Sequence, residues 1–374
     1  MTKIFLIRHA EAEGNIFRRA HGQYNGQIIG RGYAQIERLR SRFEHERIDA
    51  VYSSDLSRAC VTASAIYKPH GLPLNTTERL REVKMGAWED MPWGDIEHDD
   101  SEMSRYFNID PAKWRVPEGE EFHHVQKRMK DCILEIAGKH DGETVAVFSH
   151  GFSIRAFICG ILGLKSSDIR KVPYFDNTAV TLLRCDGDQI TVEYQGDNSH
   201  LSNEHSTFAN QTWWRSKRER VFENLRILPL DEDRDRLLLE RFVKEAGKDI
   251  GAIKEYTAFL DEDAIGLVGV DNGRRTVDSG QLKVDSERRI VDSQFGDVGW
   301  IRYIYVRPEL RSHNFGIQLL GQAVSFYRKI KRERLRICLP EDNTTLGFFE
   351  KFEFSKISDA DGYNVLEKSI RNWN

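Results

Sequence analysis

Five residues spread over the first 150 positions, Arg8, His9, Arg58, Glu82 and His150, are the ingredients of phosphoryl chemistry. Two guanidiniums can grip the non-bridging oxygens of a phosphoryl group through paired, charge-assisted hydrogen bonds, and they stay charged at any working pH. A neutral histidine can attack phosphorus in line and form a phosphohistidine, dividing one difficult displacement into two easier ones. A second histidine, positively charged, stabilises charge developing on the oxygens, while a carboxylic acid protonates the leaving alcohol and later deprotonates water. Arginine and histidine supply the cationic charge, so this scheme calls for no metal. Each residue type taken singly is more often structural, and the weight lies on their joint placement.

That placement follows from the elements that carry them. The apolar run Ile4 to Ile7 ends in Arg8-His9; Ala50 to Tyr52 ends in Ser53-Ser54-Asp55, with Arg58 just beyond; Val145 to Phe148 ends in Ser149-His150-Gly151. From Lys3 to about Arg184 such short runs alternate with longer amphipathic ones, which predicts an α/β domain with a mainly parallel sheet flanked by helices. In open parallel sheets ligands bind where strands end at their carboxyl termini, so the polar exits predict one shared crevice. Phe122, Val125, Met129, Ile133 and Ile136 mark a helix before the third run, with Gly138 near its end. Val180 to Leu183 and Ile190 to Val192 read as a late strand pair across Asp186-Gly187-Asp188. Residues 195–211 are polar and aperiodic, which places the domain seam near residue 205 and a linker over 206–224. A second unit, 225–374, opens with a strand at Leu225 to Leu228 and a helix from about Asp233 to Ala246. Strands follow near Ala264 to Val270, Gln281 to Val284, Val298 to Val306 and Leu335 to Leu339, with a helix from Phe315 to Lys329. This order predicts an α+β or mixed sheet.

Composition removes several alternatives. With 374 residues, 40% hydrophobic and 30% charged, the chain has material for two packed cores. The balance of 55 Lys+Arg against 59 Asp+Glu gives no global basic field for nucleic acid or an acidic membrane. No stretch approaches the roughly 18 apolar residues of a membrane span, and the run after Met1 is broken at once by Arg8 and His9. A cytoplasmic protein is expected. The five scattered cysteines read as reduced core residues. Trp213-Trp214 with Arg215, Lys217, Arg218 and Arg220 read as a domain-docking segment rather than a nucleic-acid patch, because Glu219 and Glu223 interrupt the charge. His123-His124 read as solvent-facing helix residues and not as a metal site.

Leu6-Ile7-Arg8-His9-Ala10-Glu11-Ala12-Glu13-Gly14-Asn15 resembles the signature of the histidine phosphatase superfamily, the phosphoglycerate-mutase-like fold. The resemblance continues through Gly30 to Gln35, Tyr52 to Ala59 with Thr62-Ala63, Leu80 to Glu89, and Phe148 to Gly151. It implies a three-layer α/β/α domain in which His9 is the nucleophile, Arg8, Arg58 and His150 complete the phosphate pocket, and Glu82 is the proton donor. It also implies that Asn15, His21 and Gly22 contact substrate, a small phosphorylated metabolite. Ala10, Asn25 and Ile28-Ile29 depart from the family pattern at the pocket rim. A domain of about 205 residues resembles the compact phosphatase branch, so hydrolysis is expected, with mutase-type phosphoryl transfer as the alternative.

In the second unit, Ile301 to Val306 leads through Arg307-Pro308-Glu309-Leu310-Arg311-Ser312-His313-Asn314-Phe315-Gly316 into a helix. Backbone N–H groups opening a helix suit an anion such as pyrophosphate, though an ordinary strand-to-helix turn has the same appearance. The wider pattern resembles the GNAT N-acetyltransferase family, with Asn343 and Phe348 to Phe354 matching its final motif. The resemblance implies acetyl-CoA held by Val306, Arg311, Ser312, His313, Asn314, Phe315, Gly316 and Asn343, and a small amine as acceptor. Asn314 and Glu353 stand where glycines are usual, and Phe349 stands where many members have the tyrosine that protonates the leaving thiolate. Two readings stand side by side: a bifunctional phosphatase and acetyltransferase, or a phosphatase whose GNAT-like domain senses acyl-CoA or only supports assembly.

Overall fold

The computed structural model describes residues 1–211, 224–246, 254–271, 283–284, 290–291, 297–341, 344–360 and 362–371. The Trp213-Trp214 segment with its basic residues, and Asn343, lie outside the described residues. The chain divides into two compact units, Met1–Asn15, Ala20–Met91 and Ile96–Val221 in one, and Ile16–Arg19, Pro92–Asp95 and Phe222–Asn374 in the other.

The first unit holds strands β1 (Thr2–Arg8), β2 (Ala50–Ser54), β3 (Leu74–Thr77), β4 (Thr144–Ser149), β5 (Val180–Asp186) and β6 (Gln189–Asp197). They form one sheet in the order β3-β2-β4-β1-β5-β6. The pairs among β1 to β4 are parallel, and β5 and β6 join antiparallel, as the sequence pattern predicts. The central strands are apolar on both faces because helices cover both. Phe5, Ile7, Ala146 and Phe148 share a core with Ile36, Leu39, Ala59 and Ala63 of the Gly30–Phe43 and Ser57–Tyr67 helices. The alternate residues Ile4, Leu6, Val145 and Val147 are equally buried, and the Phe122–Lys139 and Gly151–Ile161 helices pack together and against β1. The short edge strand β3, Leu-Asn-Thr-Thr, has no apolar alternation and is not visible in the pattern.

Register sets up the site. Ile7 lies opposite Phe148 and Arg8 opposite Ser149, so His9 and His150 leave adjacent strands at the same level. Ser53 of β2 also lies opposite Phe148, which brings the third exit alongside.

The second unit continues with β7 (Arg226–Pro229), β8 (Lys254–Leu260), β9 (Asp263–Asp271), the short pair β10 (Lys283–Val284) and β11 (Ile290–Val291), β12 (Val298–Val306), β13 (Arg334–Pro340), β14 (Ser355–Ala360) and β15 (Tyr363–Ser369). Seven of them form a mixed sheet, β14-β15-β13-β12-β9-β8-β7, in which only β12 and β13 pair in parallel. Their pairing runs from Val298↔Arg334 to Ile301↔Ile337 and stops there, although β12 continues to Val306 and β13 to Pro340. The two parallel strands therefore part company toward their carboxyl ends. The Phe315–Lys329 helix forms over the predicted residues, burying Ile317, Leu320, Val324 and Tyr327. The helix predicted from Asp233 begins at Arg236 instead, because the Asp235 carboxylate receives Thr257 Oγ1 and the Asp231 backbone N–H ahead of the helix.

Candidate active site

His9 leaves β1 with its backbone N–H on Ser149 O at 3.0 Å and its side chain 4% exposed. Its Nδ1 lies 2.7 Å from Ala10 O. A carbonyl oxygen only accepts, so Nδ1 carries the proton and Nε2 holds the lone pair. Burial, reinforced by the Arg58 and Arg8 charges, holds the ring well below the ordinary imidazole range, so it is neutral near pH 7. A buried neutral imidazole with Nε2 unprotonated is the form that attacks phosphorus.

His150 ends β4 and caps the Gly151–Ile161 helix, its ring centroid 5.1 Å from that of His9. Arg58 Nε donates to His150 Nδ1 at 3.2 Å, which places the His150 proton on Nε2. The expectation of a cationic His150 is corrected here. Burial first, then Arg58 and His9, push its pKa well below the usual value, so it serves as a neutral N–H donor and the arginines carry the positive charge. His150 Nε2 and Arg8 Nε are both buried and have no hydrogen-bond partner among the described residues. Buried donors without partners are uncommon, and two of them beside His9 could receive the oxygens of an anion such as a phosphoryl group.

Arg8 is otherwise tied down by Nη1 donating to Phe175 O. Arg58, 1% exposed, is committed more heavily than the sequence suggests. Besides His150 it donates from Nη1 to Tyr24 O at 3.0 Å and from Nη2 to Gly22 O at 2.6 Å, and Nη1 lies 3.0 Å from His21 Nε2. Burial lowers its pKa to about 10, so it stays charged. His21 and Gly22 thus meet at Arg58, with the His21 ring stacked on Tyr24 at 4.3 Å. Asn15, by contrast, turns its Oδ1 back to Ala12 N at 3.0 Å, just ahead of the short Glu13–Phe17 helix that carries it. Asn25 keeps a helix-capping role, its Oδ1 accepting from Ser57 N at 3.0 Å at the start of the helix that carries Arg58.

Glu82 sits over the same helix N-terminus as His150. Its Oε1 accepts from Val83 N and Ser153 N, both at 2.9 Å, and from Ser153 Oγ at 3.0 Å; Oε2 accepts from Phe152 N at 3.0 Å. The carboxylate is fixed in place by the amides at the helix start.

Sequence reasoning missed the brace behind His9. Asn177 Nδ2 donates to His9 O at 2.9 Å and Thr178 N to Arg8 O at 3.1 Å, while Asp176 accepts from Ser206 Oγ and Thr207 N. These residues enter β5 rather than leave a strand, so the rule that favours strand exits passes over them; a polar triplet before an apolar run was the available signal. Ala10 N donates to Thr62 Oγ1 at 2.9 Å, completing the cradle. Among the described residues no group of three or more His, Cys, Asp or Glu could hold a metal, and His123 and His124 are exposed.

In the second unit, Arg311 Nε donates to Val306 O at 3.0 Å and His313 Nδ1 lies 2.8 Å from Arg311 O, so the loop is folded on itself. Ser312 and Asn314 have φ of 65° and 62°, and Asn314 is the N-cap of the Phe315–Lys329 helix. The position where glycine is usual is thus left-handed, and asparagine meets that demand better than most residues. A Cβ on Gly316 would first meet Phe348 at 3.4 Å, an ordinary contact, so that position tolerates alanine. Phe349 is 3% exposed and packs against Phe348 and Phe354 in the core.

An α/β sheet with a neutral histidine at one central strand end, a buried N–H donor at the next and arginines beside them forms a pocket suited to an anion. The chain belongs to the histidine phosphatase superfamily (branch 1), matched over residues 4–198, and also carries an acetyltransferase (GNAT) family domain over residues 213–354. It is 32% identical over 167 residues to phosphoserine phosphatase 1 of Hydrogenobacter thermophilus, covering 45% of this chain and 79% of that one. It is 31% identical over 204 residues to phosphoglycerate mutase-like protein 4 of Arabidopsis thaliana, covering 54% and 87%. The solved structure of Bacillus stearothermophilus YhfR superposes with a TM-score of 0.52 at 30% identity, covering 54% of this chain and all of that one. These three likenesses bear on the first unit. No helix among the described residues is long and apolar enough to cross a membrane.

Proposed function

We propose that the first domain hydrolyses small phosphomonoesters through a phosphohistidine at His9, without a metal. His9 Nε2 attacks phosphorus as the ester bond breaks, Arg8, Arg58 and the His150 Nε2–H hold the oxygens, and Glu82, entering the step as the carboxylic acid, gives its proton to the leaving alcohol and becomes the carboxylate. Water, losing its proton to Glu82, then attacks the phosphohistidine and releases inorganic phosphate, which restores neutral His9. The observation that carries this reading is the pairing of a lone pair on His9 Nε2 with two buried, unpartnered donors, His150 Nε2 and Arg8 Nε. A phosphorylated small metabolite of the phosphoserine kind is the favoured substrate, in line with the name of the Hydrogenobacter relative; the likeness to a mutase-like protein keeps phosphoryl transfer as the alternative.

The functional boundary is placed near residue 205, with 1–205 the phosphatase domain, 206–224 a linker and 225–374 the acetyltransferase-like domain, in a cytoplasmic protein that binds neither nucleic acid nor membrane. For acetyl-CoA the fit rests on the left-handed Asn314 and the parting of β12 from β13. Backbone groups of Arg311 to Gly316 would hold its pyrophosphate, and the thioester would supply an activated acetyl group for a small amine. Phe349, buried and without a hydroxyl, supports the second reading of the domain as an acyl-CoA-binding module that transfers nothing. If both activities operate, one metabolite bearing a phosphate and an amine would serve both.

The test is phosphate release from a panel of phosphomonoesters with EDTA present, run beside His9→Ala. Release that vanishes in the variant, together with an acid-labile phosphoenzyme seen only in the wild type, is expected; release that survives the substitution refutes the mechanism. Calorimetry with acetyl-CoA, followed by an amine panel, separates transfer from binding.

A further inference from the structure

The scheme above leaves one acidic residue of the pocket unused. Glu82 and Glu89 lie on the same loop, folded back at Gly86, whose φ of 58° and a would-be Cβ only 2.1 Å from Pro117 O admit no side chain. The turn aims the two carboxylates at different backbones. Glu82 collects amides from Val83, Phe152 and Ser153, whereas Glu89 Oε1 accepts from Gly22 N at 2.9 Å and Tyr24 N at 3.2 Å. The 22–24 segment turns its carbonyls the other way, Gly22 O and Tyr24 O both receiving Arg58. Arg58 Nε in turn donates to His150 Nδ1 and so decides which His150 nitrogen is protonated.

The segment is clamped between a carboxylate and a guanidinium, and it has no slack. A Cβ on Gly22 would lie 2.5 Å from Glu89 Oε2 and 2.8 Å from Val83 O. Without the carboxylate, the Gly22 and Tyr24 amides lose their acceptor and the two carbonyls that aim Arg58 are released. We propose that Glu89 is a positioning residue that holds His150 in its Nε2–H tautomer and in place, acting through the 22–24 segment and Arg58. The kinetic part of the proposal rests on the phosphatase reading, and the tautomer part does not.

The experiment uses the full chain labelled with nitrogen-15 histidine, as wild type, Glu89→Gln, Glu89→Ala and Leu39→Ala. Leu39→Ala opens a buried site on the Gly30–Phe43 helix and reports loss of stability alone. The His150 signal is assigned by its loss in His150→Asn. Nitrogen-15 spectra are expected to show His150 Nδ1 unprotonated in wild type, Glu89→Gln and Leu39→Ala, and a mixture of tautomers in Glu89→Ala. For phosphate release, Glu89→Ala is expected to lower kcat about a hundredfold. Glu89→Gln, which keeps an acceptor oxygen, should recover the rate to within about threefold. An unchanged His150 signal in Glu89→Ala, or equal loss of rate in the Gln and Ala variants, overturns the proposal. If Glu89→Ala does not accumulate as folded protein, Glu89→Asp, which withdraws the acceptor by one methylene, replaces it with the same readings. Wild type that releases no phosphate from any ester refutes the phosphatase reading, and the spectra then decide this proposal alone.

Discussion

Restoring the family's glycine at Glu353 should destabilise the second domain, against the simplest expectation. Glu353 has φ of 69°, a left-handed conformation that costs a residue with a Cβ about 1–2 kcal/mol. Glycine removes that strain but has more freedom to lose on folding, which leaves a gain of about 1 kcal/mol. On the other side, Glu353 Oε2 receives Lys368 Nζ at 3.0 Å, and the Lys368 side chain is only 2% exposed. Removing one partner of a buried pair costs about 3–5 kcal/mol. The Glu353 side chain is 30% exposed, so water takes up part of that loss and about 2 kcal/mol is a fairer figure. The balance is about 1 kcal/mol against glycine. Hydrogen exchange of the β15 amides in the full chain reads this locally, and Glu353→Gly should speed it about fivefold. The double variant Glu353→Gly with Lys368→Met should recover most of the loss, because the buried lysine charge is removed together with this carboxylate. Slower exchange in the single variant would show that backbone strain outweighs the ion pair and refute the argument.

Three further outcomes follow from the same kind of reading. Gly22→Ala should cost about 1–3 kcal/mol and reduce phosphate release by at least about tenfold, because its Cβ meets Val83 O at 2.8 Å, whereas Gly316→Ala, with 3.4 Å of room, should leave acetyl-CoA affinity unchanged in calorimetry. Burial pushes Glu11, fully inaccessible beside Arg31, up to about 7 from an unfolded value near 4.3. Its folded pKa is the higher one, so its contribution is fully present below about pH 4.3 and is lost as pH rises through 7, by about 3 kcal/mol. Glu11→Gln should therefore exceed wild type in urea-unfolding stability at pH 8.5 by that order, and the gain should vanish at pH 4; a gain independent of pH would show that Glu11 does not titrate in this range.

What was legible in the sequence is what depends on period and punctuation. Apolar runs ending in Arg8-His9 and in Ser149-His150 place two histidines at strand exits, and the parallel register Arg8↔Ser149 brings them level. What was hidden depends on distant partners. No local pattern reveals that Asn177 holds the His9 carbonyl across 168 residues, or that Arg58 is largely engaged by the 21–24 segment. The charge of His150 was misread for the same reason. Residue type alone allows an imidazolium, and only the buried Arg58 on Nδ1 shows that the ring must be neutral to accept. The strands β3, β8, β14 and β15 also escaped: β3 and β14 are edge strands, and β8 and β15 lie inside their sheet with their buried residues in a run rather than in alternation.

The second domain separates two demands that its family pattern combines. Cradling a pyrophosphate depends on where main-chain N–H groups point, and that is fixed by φ; Asn314 at 62° meets the demand without being glycine. Glu353 at 69° keeps a second left-handed position and gains Lys368 as a partner. Protonating a thiolate depends instead on one side-chain hydroxyl, and Phe349, turned into an aromatic core, has none. The left-handed backbone is thus kept at Asn314 and Glu353, while Phe349 has no hydroxyl to offer a thiolate. Binding of acetyl-CoA would therefore not by itself imply transfer, whereas an absence of binding would exclude both.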